Sequence, residues 1–293
     1  MTGQDGLYLV ELLLVKDYEV FGLVRGQNNP KFDLVRETVP GVKLLTGDLT
    51  DLSSWMRALE FSQPEEVYDF GVISFVAYSW ENAHVTIEVT AKGVLNLLEA
   101  FRLFTGDPSS VRSHQASSSE MIGSVQQVPQ TEEMLLWPRS PHGVAKVLGR
   151  YMTTNYRESY GRHASSGTLF NHEPPRRGPE FITGKVSMAE VRIALGLQES
   201  ISLGNLDAKR DWGFAGGDVD AMWWMLQQDT ADDYVVSAGH THTIRELLDV
   251  AFARVEIEDG MPYVHQDQRF MRWAKVDLPI DNDLQLQKTL VGL

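Results

Sequence analysis

The chain has 293 residues, no cysteine and a formal net charge of −14, with 43% hydrophobic and 23% charged residues. This length and composition are typical of a globular protein with one large α/β domain, or such a domain with an added lobe. The lack of cysteine excludes disulfides, thiol catalysis and cysteine-based metal sites, and the negative charge argues against a nucleic-acid surface. No apolar run approaches the ~20 residues that span a bilayer, and no signal peptide is visible. We therefore expect a cytoplasmic protein with no membrane partner.

The first half of the chain alternates short apolar runs with amphipathic stretches. The apolar runs predict buried strands, and the stretches between them predict helices with one apolar face. Such alternation predicts an α/β fold with a doubly wound parallel sheet. The predicted strands are Glu19–Arg25, Val42–Asp48, Glu66–Gly71, Val111–Ser119 and His163–Asn171, and the predicted helices are Leu7–Lys16, Leu52–Phe61, Ala83–Phe104 and Pro141–Tyr160.

The alternation becomes less regular after Asn171. No repeat and no long linker separates the two halves. We expect residues 1–171 to form a Rossmann-like nucleotide-binding domain, and residues 172–293 to form a smaller substrate-binding lobe interleaved with it. The second half is predicted to contain helices near Val186–Gly196, Val219–Gln228 and Ile244–Val255, and strands at Ile201–Gly204 and Tyr234–Ala238.

The amino terminus carries part of a phosphate-binding loop. Gly3 and Gly6 precede the first predicted helix, as the second and third glycines of the dinucleotide fingerprint do, and would allow a tight turn close to a pyrophosphate. The alternative is that this glycine-rich helix start is only a turn. The first glycine of the fingerprint and the strand before it have no counterpart in the sequence. That strand is central in a doubly wound sheet, so we expect a gap or an irregular collapse between Glu19–Arg25 and Glu66–Gly71, with marginal stability.

Two strand ends bear on which nucleotide binds. Arg25 lies about 20 residues after the glycines, where an acid would hold the ribose of NAD and an arginine favours the 2′-phosphate of NADP. Asp48 and Leu49 end the next strand and suit a contact with adenine, although Asp48 is equally suited to cap the helix that begins near Leu52. These positions predict NADP as the cofactor.

The stretch Ser113–Lys146 brings four reactive side chains towards one sheet edge. Ser118 and Glu120 lie two residues apart at a strand end, and alternate strand residues share a face. A Ser-Pro pair then opens a helix, which places His142 and Lys146 at i and i+4 on one face. From these residues alone, the alternative is that Ser118 and Glu120 cap a loop while the two basic side chains face solvent.

Longer segments of the chain resemble the family of GDP-mannose 4,6-dehydratases, which are extended short-chain dehydrogenases/reductases. The resemblance covers Thr2 to about Asp277. It is carried by the segments TGQDGLYLVELLL, GDLTDLSS, QASSSEM, NYRESYG, LFNHE and LGNLDAKRDWGFAG.

The resemblance implies a hydro-lyase that uses NADP as a bound cofactor. In this family a hydride leaves C4 of the sugar, water is eliminated across C5–C6, and the hydride returns to C6. GDP-D-mannose thereby becomes GDP-4-dehydro-6-deoxy-D-mannose, a precursor in GDP-fucose biosynthesis. The family also implies a homodimer or homotetramer.

The family motifs assign roles to individual residues. Ser118 would hydrogen-bond the C4 oxygen, Glu120 would take the C5 proton and help water leave, and Lys146 would hold the nicotinamide ribose. His142 stands where the family has its catalytic tyrosine. The implied cofactor positions are Gly3, Gln4, Asp5, Gly6, Leu7, Arg25, Asp48, Leu49, Ser74, Lys146, His172 and Arg177, and the implied substrate positions are Asn171, Arg210 and Arg272. We expect no metal, because the chemistry needs none and His240 and His242 have no third ligand near them.

Several positions depart from the family pattern. An imidazole at position 142 is still a base, but its reach is shorter than that of a tyrosine, and geometry limits proton transfer before pKa does. Other departures are Asp69 and Val72 for Asn and Ala, Gly184 for Arg, Gly217 and Asp218 for an Asp-Tyr pair, and Trp273 and Lys275 for Pro and Glu.

Three classes of function remain open at this stage. The first is a GDP-mannose dehydratase, active or impaired. The second is a catalytically inactive, binding-only relative, which the histidine at position 142 favours. The third is another NADP-dependent nucleotide-sugar epimerase or reductase, against which Glu120 argues, because those reactions need no carboxylate at C5 and C6.

Overall fold

The computed structural model describes residues 1–26, 29–104, 106–107, 110–126 and 130–270. The α-helices within these ranges alternate with strands in the first half, as predicted. The helices are α1 (Gln4–Val15), α2 (Lys31–Thr38), α3 (Leu52–Ser62), α4 (Val76–Glu81), α5 (Ala83–Ile87), α6 (Gly93–Phe104), α7 (Pro141–Tyr160), α8 (Ile182–Ala194), α9 (Ala215–Gln227) and α10 (Ile244–Arg254).

The strands within the same ranges fall into four small sheets. A parallel sheet of order β3-β4-β5-β9 forms the centre, and β1 and β2 form a separate parallel pair. The order β10-β8-β6 and the pair β11-β7 belong to the second half. The strands are β1 (Phe21–Val24), β2 (Lys43–Thr46), β3 (Glu66–Asp69), β4 (Arg112–Ala116), β5 (Ala164–Leu169), β6 (Asn171–His172), β7 (Ile201–Leu203), β8 (Lys209–Gly213), β9 (Asp233–Val236), β10 (Thr241–Thr243) and β11 (Val264–Gln266).

The predicted gap in the sheet is confirmed. Among the described residues, β1 pairs only with β2, and β3 pairs only with β4, so no strand joins the two sheets. Both pairings are parallel. The arrangement is that of a doubly wound sheet that is divided where its first strand would lie.

Some predicted elements end earlier or are interrupted. The expected strand Val111–Ser119 stops at Ala116, and His163–Asn171 is divided into β5 and β6 at Phe170. The expected helix Ala83–Phe104 is interrupted by a π-helical turn at Glu88–Lys92. The sequence did not reveal α2, α4, β6, β8, β10 and β11, which are short and, in α2, bury only one side chain.

The second half of the chain adds a strand to the central sheet and a helix to the core of the first half. Strand β9 adds to the far edge of β5 in parallel, and α9 packs its buried Met222 and Met225 against the buried face of α1. A second apolar core, which includes Leu203, Leu248 and Phe252, lies within the lobe. The lobe therefore presents its loops beside the carboxyl ends of the central strands. Within the described ranges, none of the helices combines the length and the hydropathy that a membrane-spanning segment requires.

Candidate active site

The predicted site residues that the structure describes line one cavity of about 2790 Å³. It runs along the carboxyl ends of β1, β3 and β4, where open α/β sheets bind their ligands. Arg272, like Trp273 and Lys275, lies outside the described residues. The residues that line the cavity include all the other predicted ones: Gly3, Gln4, Asp5, Gly6, Leu7, Arg25, Asp48, Leu49, Ser74, Ser118, Glu120, His142, Lys146, Asn171, His172, Arg177 and Arg210.

Ser118 and Glu120 meet at the cavity through a tight turn and not through a shared strand face. Ser118 is extended and caps a 3₁₀ turn at Ser119–Met121, with its Oγ accepting a hydrogen bond from the backbone N–H of Glu120 at 3.2 Å. The prediction from strand alternation was therefore wrong, because β4 ends two residues before Ser118. The serine hydroxyl keeps its own proton to donate towards the cavity.

Helix α7 supplies the two basic groups as predicted. Its N-cap is Ser140, whose Oγ accepts from the N–H of Gly143 at 3.0 Å, and Pro141 occupies the first turn. His142 and Lys146 lie one turn apart on the buried side of the helix, 3% and 5% exposed. The alternative in which both faced solvent is wrong. A side chain at Gly143 would collide with the backbone of Glu120, so the glycine lets α7 approach the 3₁₀ turn closely.

The imidazole of His142 is oriented by the backbone of the loop after β3. Its Nδ1 lies 2.9 Å from the carbonyl oxygen of Ile73. A carbonyl oxygen only accepts hydrogen bonds, so Nδ1 carries the proton in this contact. The neutral ring therefore has its lone pair on Nε2, which is the tautomer that a general base requires.

Burial and nearby carboxylates have opposite effects on the ammonium group of Lys146. Its Nζ donates to the carbonyl oxygen of Ala116 at the end of β4. Burial lowers the pKa of Lys146 to about 8, although Asp69 and Asp5 act in the opposite direction. Asp69 itself is buried, accepts from the N–H of Gly71 at 2.8 Å, and has its pKa raised by burial and lowered by Lys146, with burial the larger effect.

Hydrogen bonds connect the glycine-rich loop at the start of α1 with His172 of the lobe. Gln4 donates to the carbonyl oxygen of His172 at 3.0 Å, and His172 Nε2 lies 3.0 Å from Asp5 Oδ1. Burial favours the neutral imidazole, but the charge and hydrogen bond of Asp5 outweigh it and raise the pKa of His172 to about 9. The pair is therefore ionised at neutral pH. It closes one wall of the cavity between α1 and β6.

Asp218 adds a second carboxyl group beside this pair. It lies in the first turn of α9 and is only 9% exposed. Burial raises the pKa of Asp218 to about 6, although the charge of His172 lowers it. The residue thus titrates near neutral pH.

The nucleotide positions lie along the same wall. Arg25 is exposed just after β1, and its side chain lines the cavity. Asp48 Oδ1 accepts from both the N–H and the hydroxyl of Thr50, at 2.9 and 2.7 Å. The helix that begins at Leu52 is capped by Asp51 and not by Asp48, so the capping alternative for Asp48 is wrong. Leu49 and Ser74 also line the cavity.

The two arginines after the LFNHE segment have protein partners. Arg177 forms an ion pair with Glu173 at 3.0 Å and stacks on Phe181, with its guanidinium carbon 3.6 Å from the ring centre. Arg176 forms two hydrogen bonds with Glu11 of α1, at 3.0 and 2.7 Å. The cofactor role implied for Arg177 stays a prediction, since a phosphate would have to share or displace the carboxylate of Glu173.

Two predicted substrate residues lie at the lobe end of the cavity. Asn171 lies in β6 and pairs with β8, the strand that carries Arg210. Both residues line the cavity. Their contact with a sugar nucleotide stays a prediction.

Sequence reasoning gave no role to three groups that shape the site. They are the Ile73 carbonyl that orients His142, the Asp69 carboxylate near Lys146, and Glu173, which accepts from Thr183 at 2.5 Å as well as pairing with Arg177. Asp69 at a strand end was a usable signal, because strand ends line the ligand site of such sheets. Among the described residues, no group of three His, Cys, Asp or Glu is arranged to hold a metal ion.

Comparison with known sequences decides the family. The sequence profile described as GDP-mannose 4,6 dehydratase matches residues 1–290. The chain belongs to this family. GDP-mannose 4,6 dehydratase 2 from Arabidopsis thaliana is 45% identical over 301 residues, which covers 100% of this chain and 80% of that protein. The human GDP-mannose 4,6 dehydratase is 43% identical over 301 residues, covering 94% of this chain and 81% of its own length. The GDP-mannose 4,6-dehydratase of Yersinia enterocolitica is 45% identical over 265 residues, covering 88% and 71%.

Solved structures agree on the fold. A dTDP-glucose 4,6-dehydratase from Streptomyces venezuelae with NAD and TYD bound has a TM-score of 0.83 at 21% identity, covering 98% of this chain and 88% of that one. RMD from Pseudomonas aeruginosa, complexed with NADPH, has a TM-score of 0.74 at 23% identity, covering 85% and 83%. A UDP-glucose 4-epimerase from Thermus thermophilus with NAD has a TM-score of 0.81 at 26% identity, covering 98% and 90%. This GDP-mannose 4,6-dehydratase relative therefore has the Rossmann-like fold of enzymes that bind NAD or NADP.

Proposed function

We propose that the chain converts GDP-D-mannose into GDP-4-dehydro-6-deoxy-D-mannose and water, with NADP as its cofactor. The observation that carries the proposal is the convergence of Ser118, Glu120, His142 and Lys146 on one cavity wall in a member of this family. The product class is a 4-keto-6-deoxy nucleotide sugar.

The lining of the cavity suits a dinucleotide phosphate. Helix α1 begins at the cavity wall, and Gly3 at its N-cap makes no side-chain cap hydrogen bond, so the N–H groups of the first turn offer donors to a phosphate. Arg25 after the end of β1 also lines the cavity, which supports a contact with a 2′-phosphate there. When bound there, NADP⁺ would supply the hydride acceptor for C4 and later the hydride donor for C6.

The first proton transfer falls to His142. Nδ1 is engaged with the Ile73 carbonyl, so Nε2 is the atom that would take the proton of the C4 hydroxyl. The Ser118 hydroxyl would donate to the same oxygen and steady its growing negative charge. Lys146, as an ammonium with a pKa of about 8, would hold the nicotinamide ribose and favour proton release nearby.

The elimination of water falls to Glu120. The new ketone at C4 makes the C5 proton acidic, and a carboxylate at that carbon can remove it. The same carboxylic acid can then protonate the departing C6 hydroxyl, so that C5–H and C6–O break and one water forms. In the last step C5 takes up a proton again. One carboxylate would thus serve both the removal of the C5 proton and the departure of the C6 hydroxyl.

The test is incubation of the chain with GDP-mannose and NADP⁺, followed by product analysis. Substrate carrying deuterium at C4 should give product with deuterium at C6, because the hydride moves within one molecule. Unlabelled substrate in D₂O should give product with one deuterium at C5. Glu120→Gln should still bind NADP⁺ but form no product. Binding of NADP⁺ without any 4-keto product would instead support the binding-only relative, and a 4-epimer of GDP-mannose would support an epimerase.

We also propose that the chain forms a homodimer through the outer face of α7. Val144, Leu148 and Tyr151 lie at successive turns of this helix and are 50%, 46% and 56% exposed. Residues at i, i+4 and i+7 form one stripe. A contiguous apolar stripe on a helix next to the active site is typical of a subunit interface.

A further inference from the structure

The loop between β3 and α4, residues 70–75, is held by side chains that accept hydrogen bonds from its amides. The N–H of Gly71 donates to Asp69 Oδ1 at 2.8 Å. The N–H of Ile73 donates to Thr90 Oγ1 at 3.3 Å. Thr90 lies 17 positions after Ile73, so this second bond connects the loop with a separate element of the chain.

Thr90 belongs to the π-helical turn Glu88–Lys92, which follows α5. It is 1% exposed, and its turn packs against α7, the helix that carries His142. Val89, the preceding residue, lines the cavity. π-helical turns within longer helices occur frequently at functional sites. This turn therefore lies beside the candidate active site and contacts the helix that supplies its base.

The hydroxyl of Thr90 makes a different kind of bond from those of two other buried helical threonines. Thr86 and Thr153 each donate at 2.9 Å to the carbonyl oxygen of the residue four positions earlier. This is the ordinary local bond of a threonine inside a helix. Thr90 Oγ1 instead accepts from an amide of the loop after β3. A threonine that served only to pack its helix would not need this contact.

Ile73 connects the hydroxyl of Thr90 with the imidazole of His142. Thr90 accepts from its N–H, and its carbonyl oxygen lies 2.9 Å from Nδ1 of His142. The two bonds hold Ile73 from both sides. Because Ile73 is only partly buried and the next residue, Ser74, is exposed, packing alone constrains this part of the loop less than it would constrain a core segment.

We propose that Thr90 is a positioning residue, whose hydroxyl fixes the tautomer of His142 through the backbone of Ile73. Removal of the hydroxyl takes away the partner of the Ile73 N–H, and the loop then turns to find another. The Ile73 carbonyl moves away from Nδ1, and the ring gains access to the tautomer that carries its proton on Nε2. That tautomer cannot take a proton from a hydroxyl group through Nε2.

The role in catalysis rests on the proposed function, because it concerns the proton transfer at His142. The tautomer is a property of the chain without substrate, and it can be measured whether or not the chain turns over GDP-mannose. A spectroscopic measurement of the ring therefore separates a failure of this inference from a failure of the proposed function.

The experiment replaces Thr90 by valine, which has the shape of threonine but no hydroxyl. Long-range ¹H–¹⁵N spectra of the full chain, labelled with ¹⁵N-histidine, report the tautomer at pH 8. His142 is one of eight histidines, and its signals are identified by their loss in His142→Asn. Wild type should show the proton on Nδ1, and Thr90→Val should shift the signals towards the Nε2–H form. In the dehydratase assay, kcat should fall roughly ten-fold, the value of one hydrogen bond, while KM for GDP-mannose stays close to that of wild type.

Thr86→Val is the matched control. Thr86 is also fully buried, and its hydroxyl bonds the carbonyl of Asn82 within its own helix. This variant should keep the wild-type signals of His142 and the wild-type kcat. Thr90→Ser keeps a hydroxyl and should restore both. If Thr90→Val does not fold, Thr90→Ala removes the same hydroxyl and carries the same expectation.

Unchanged His142 signals in a folded Thr90→Val or Thr90→Ala chain would overturn the proposal. Equal losses of kcat in Thr86→Val and Thr90→Val would also overturn it, because they would show a general effect on the helix. A wild-type chain that forms no 4-keto product would contradict the proposed function, and the His142 signals would still decide the role of Thr90.

Discussion

His172 Nε2 lies 3.0 Å from Asp5 Oδ1 and so joins two residues 167 positions apart. One belongs to the first turn of α1 and the other to β6, and together they connect the glycine-rich loop with the lobe. The side chains are 13% and 23% exposed, so solvent screens the pair only in part. This contact fixes the wall of the cavity on which a cofactor phosphate would lie.

The first prediction concerns the pH dependence of this ion pair. The pKa of His172 is raised from 6.5 to about 9 in the folded chain. Its contribution to stability is therefore fully present below pH 6.5 and is lost as pH rises through 9, a loss of about 3 kcal/mol. Asp5→Asn should remove this contribution, as measured by urea unfolding at pH 6 and pH 10. The control is Glu11→Gln, which breaks the more exposed pair with Arg176 and should cost less than about 1 kcal/mol. A wild-type pH profile matched by Asp5→Asn would contradict the prediction.

The second prediction concerns acid sensitivity from a buried histidine. His114 in β4 is fully buried, and neither ring nitrogen has a hydrogen-bond partner in the described part of the chain. Burial, with a smaller effect of Lys146, lowers the pKa of His114 to about 3. The unfolded chain takes up this proton first, so stability falls as pH drops below 6.5, by about 3 kcal/mol at pH 4. His114→Leu should flatten the pH 4–7 stability curve relative to wild type in chemical denaturation. Parallel curves for the two proteins would rule this out.

The third prediction concerns cofactor choice. Arg25 is expected to bind the 2′-phosphate, so NADP⁺ should bind more tightly than NAD⁺ in isothermal titration. Arg25→Ala should weaken NADP⁺ binding roughly 10–100-fold, the value of a charge-assisted hydrogen bond, and should leave NAD⁺ binding nearly unchanged. Arg36→Ala, an arginine on the adjacent α2, is the matched control and should have no effect. Equal affinities of wild type for the two cofactors would remove Arg25 from the site.

The fourth prediction concerns His142. Restoring the tyrosine with His142→Tyr should raise kcat by roughly 10²–10⁴-fold, the contribution of a well-placed general base. KM for GDP-mannose should stay nearly constant, because the residue acts on a proton and makes no contact with the diphosphate. The thermal midpoint of the variant checks that the larger ring is accommodated where the imidazole is 3% exposed. An unchanged kcat in a folded, NADP-bound variant would place the defect elsewhere, with Asp218 as the next position to restore.

The fifth prediction concerns self-association. Leu148→Asp places a charge in the exposed stripe of α7, so it should lower the dimer fraction at least ten-fold in sedimentation experiments. The residue is 46% exposed in the single chain, so the fold should be unaffected. Val250→Asp alters an exposed apolar residue of α10 and is the matched control. A monomeric wild type, or dimers that survive Leu148→Asp, would show that α7 is not the interface.

The sequence by itself determined the fold class, the family and some of the residues that line the cavity. Regular alternation of apolar runs is a local signal, and helix α7 was predicted from Pro141 to Tyr160 with the bounds that the structure has. The gap between β1 and β3 among the described residues was also predicted from the sequence. The structure brings the described residues that the family motifs named to one cavity.

Only the tertiary structure decided how those residues are held. The tautomer of His142 depends on a carbonyl 69 positions away, and the charge of His172 depends on a carboxylate 167 positions away. Ser118 and Glu120 meet through a 3₁₀ turn because β4 stops at Ala116, a boundary that side-chain alternation does not encode. Pairings between distant segments, and the burial that shifts the pKa of Lys146 and Asp69, arise from packing of the whole chain. No local pattern of residues contains them.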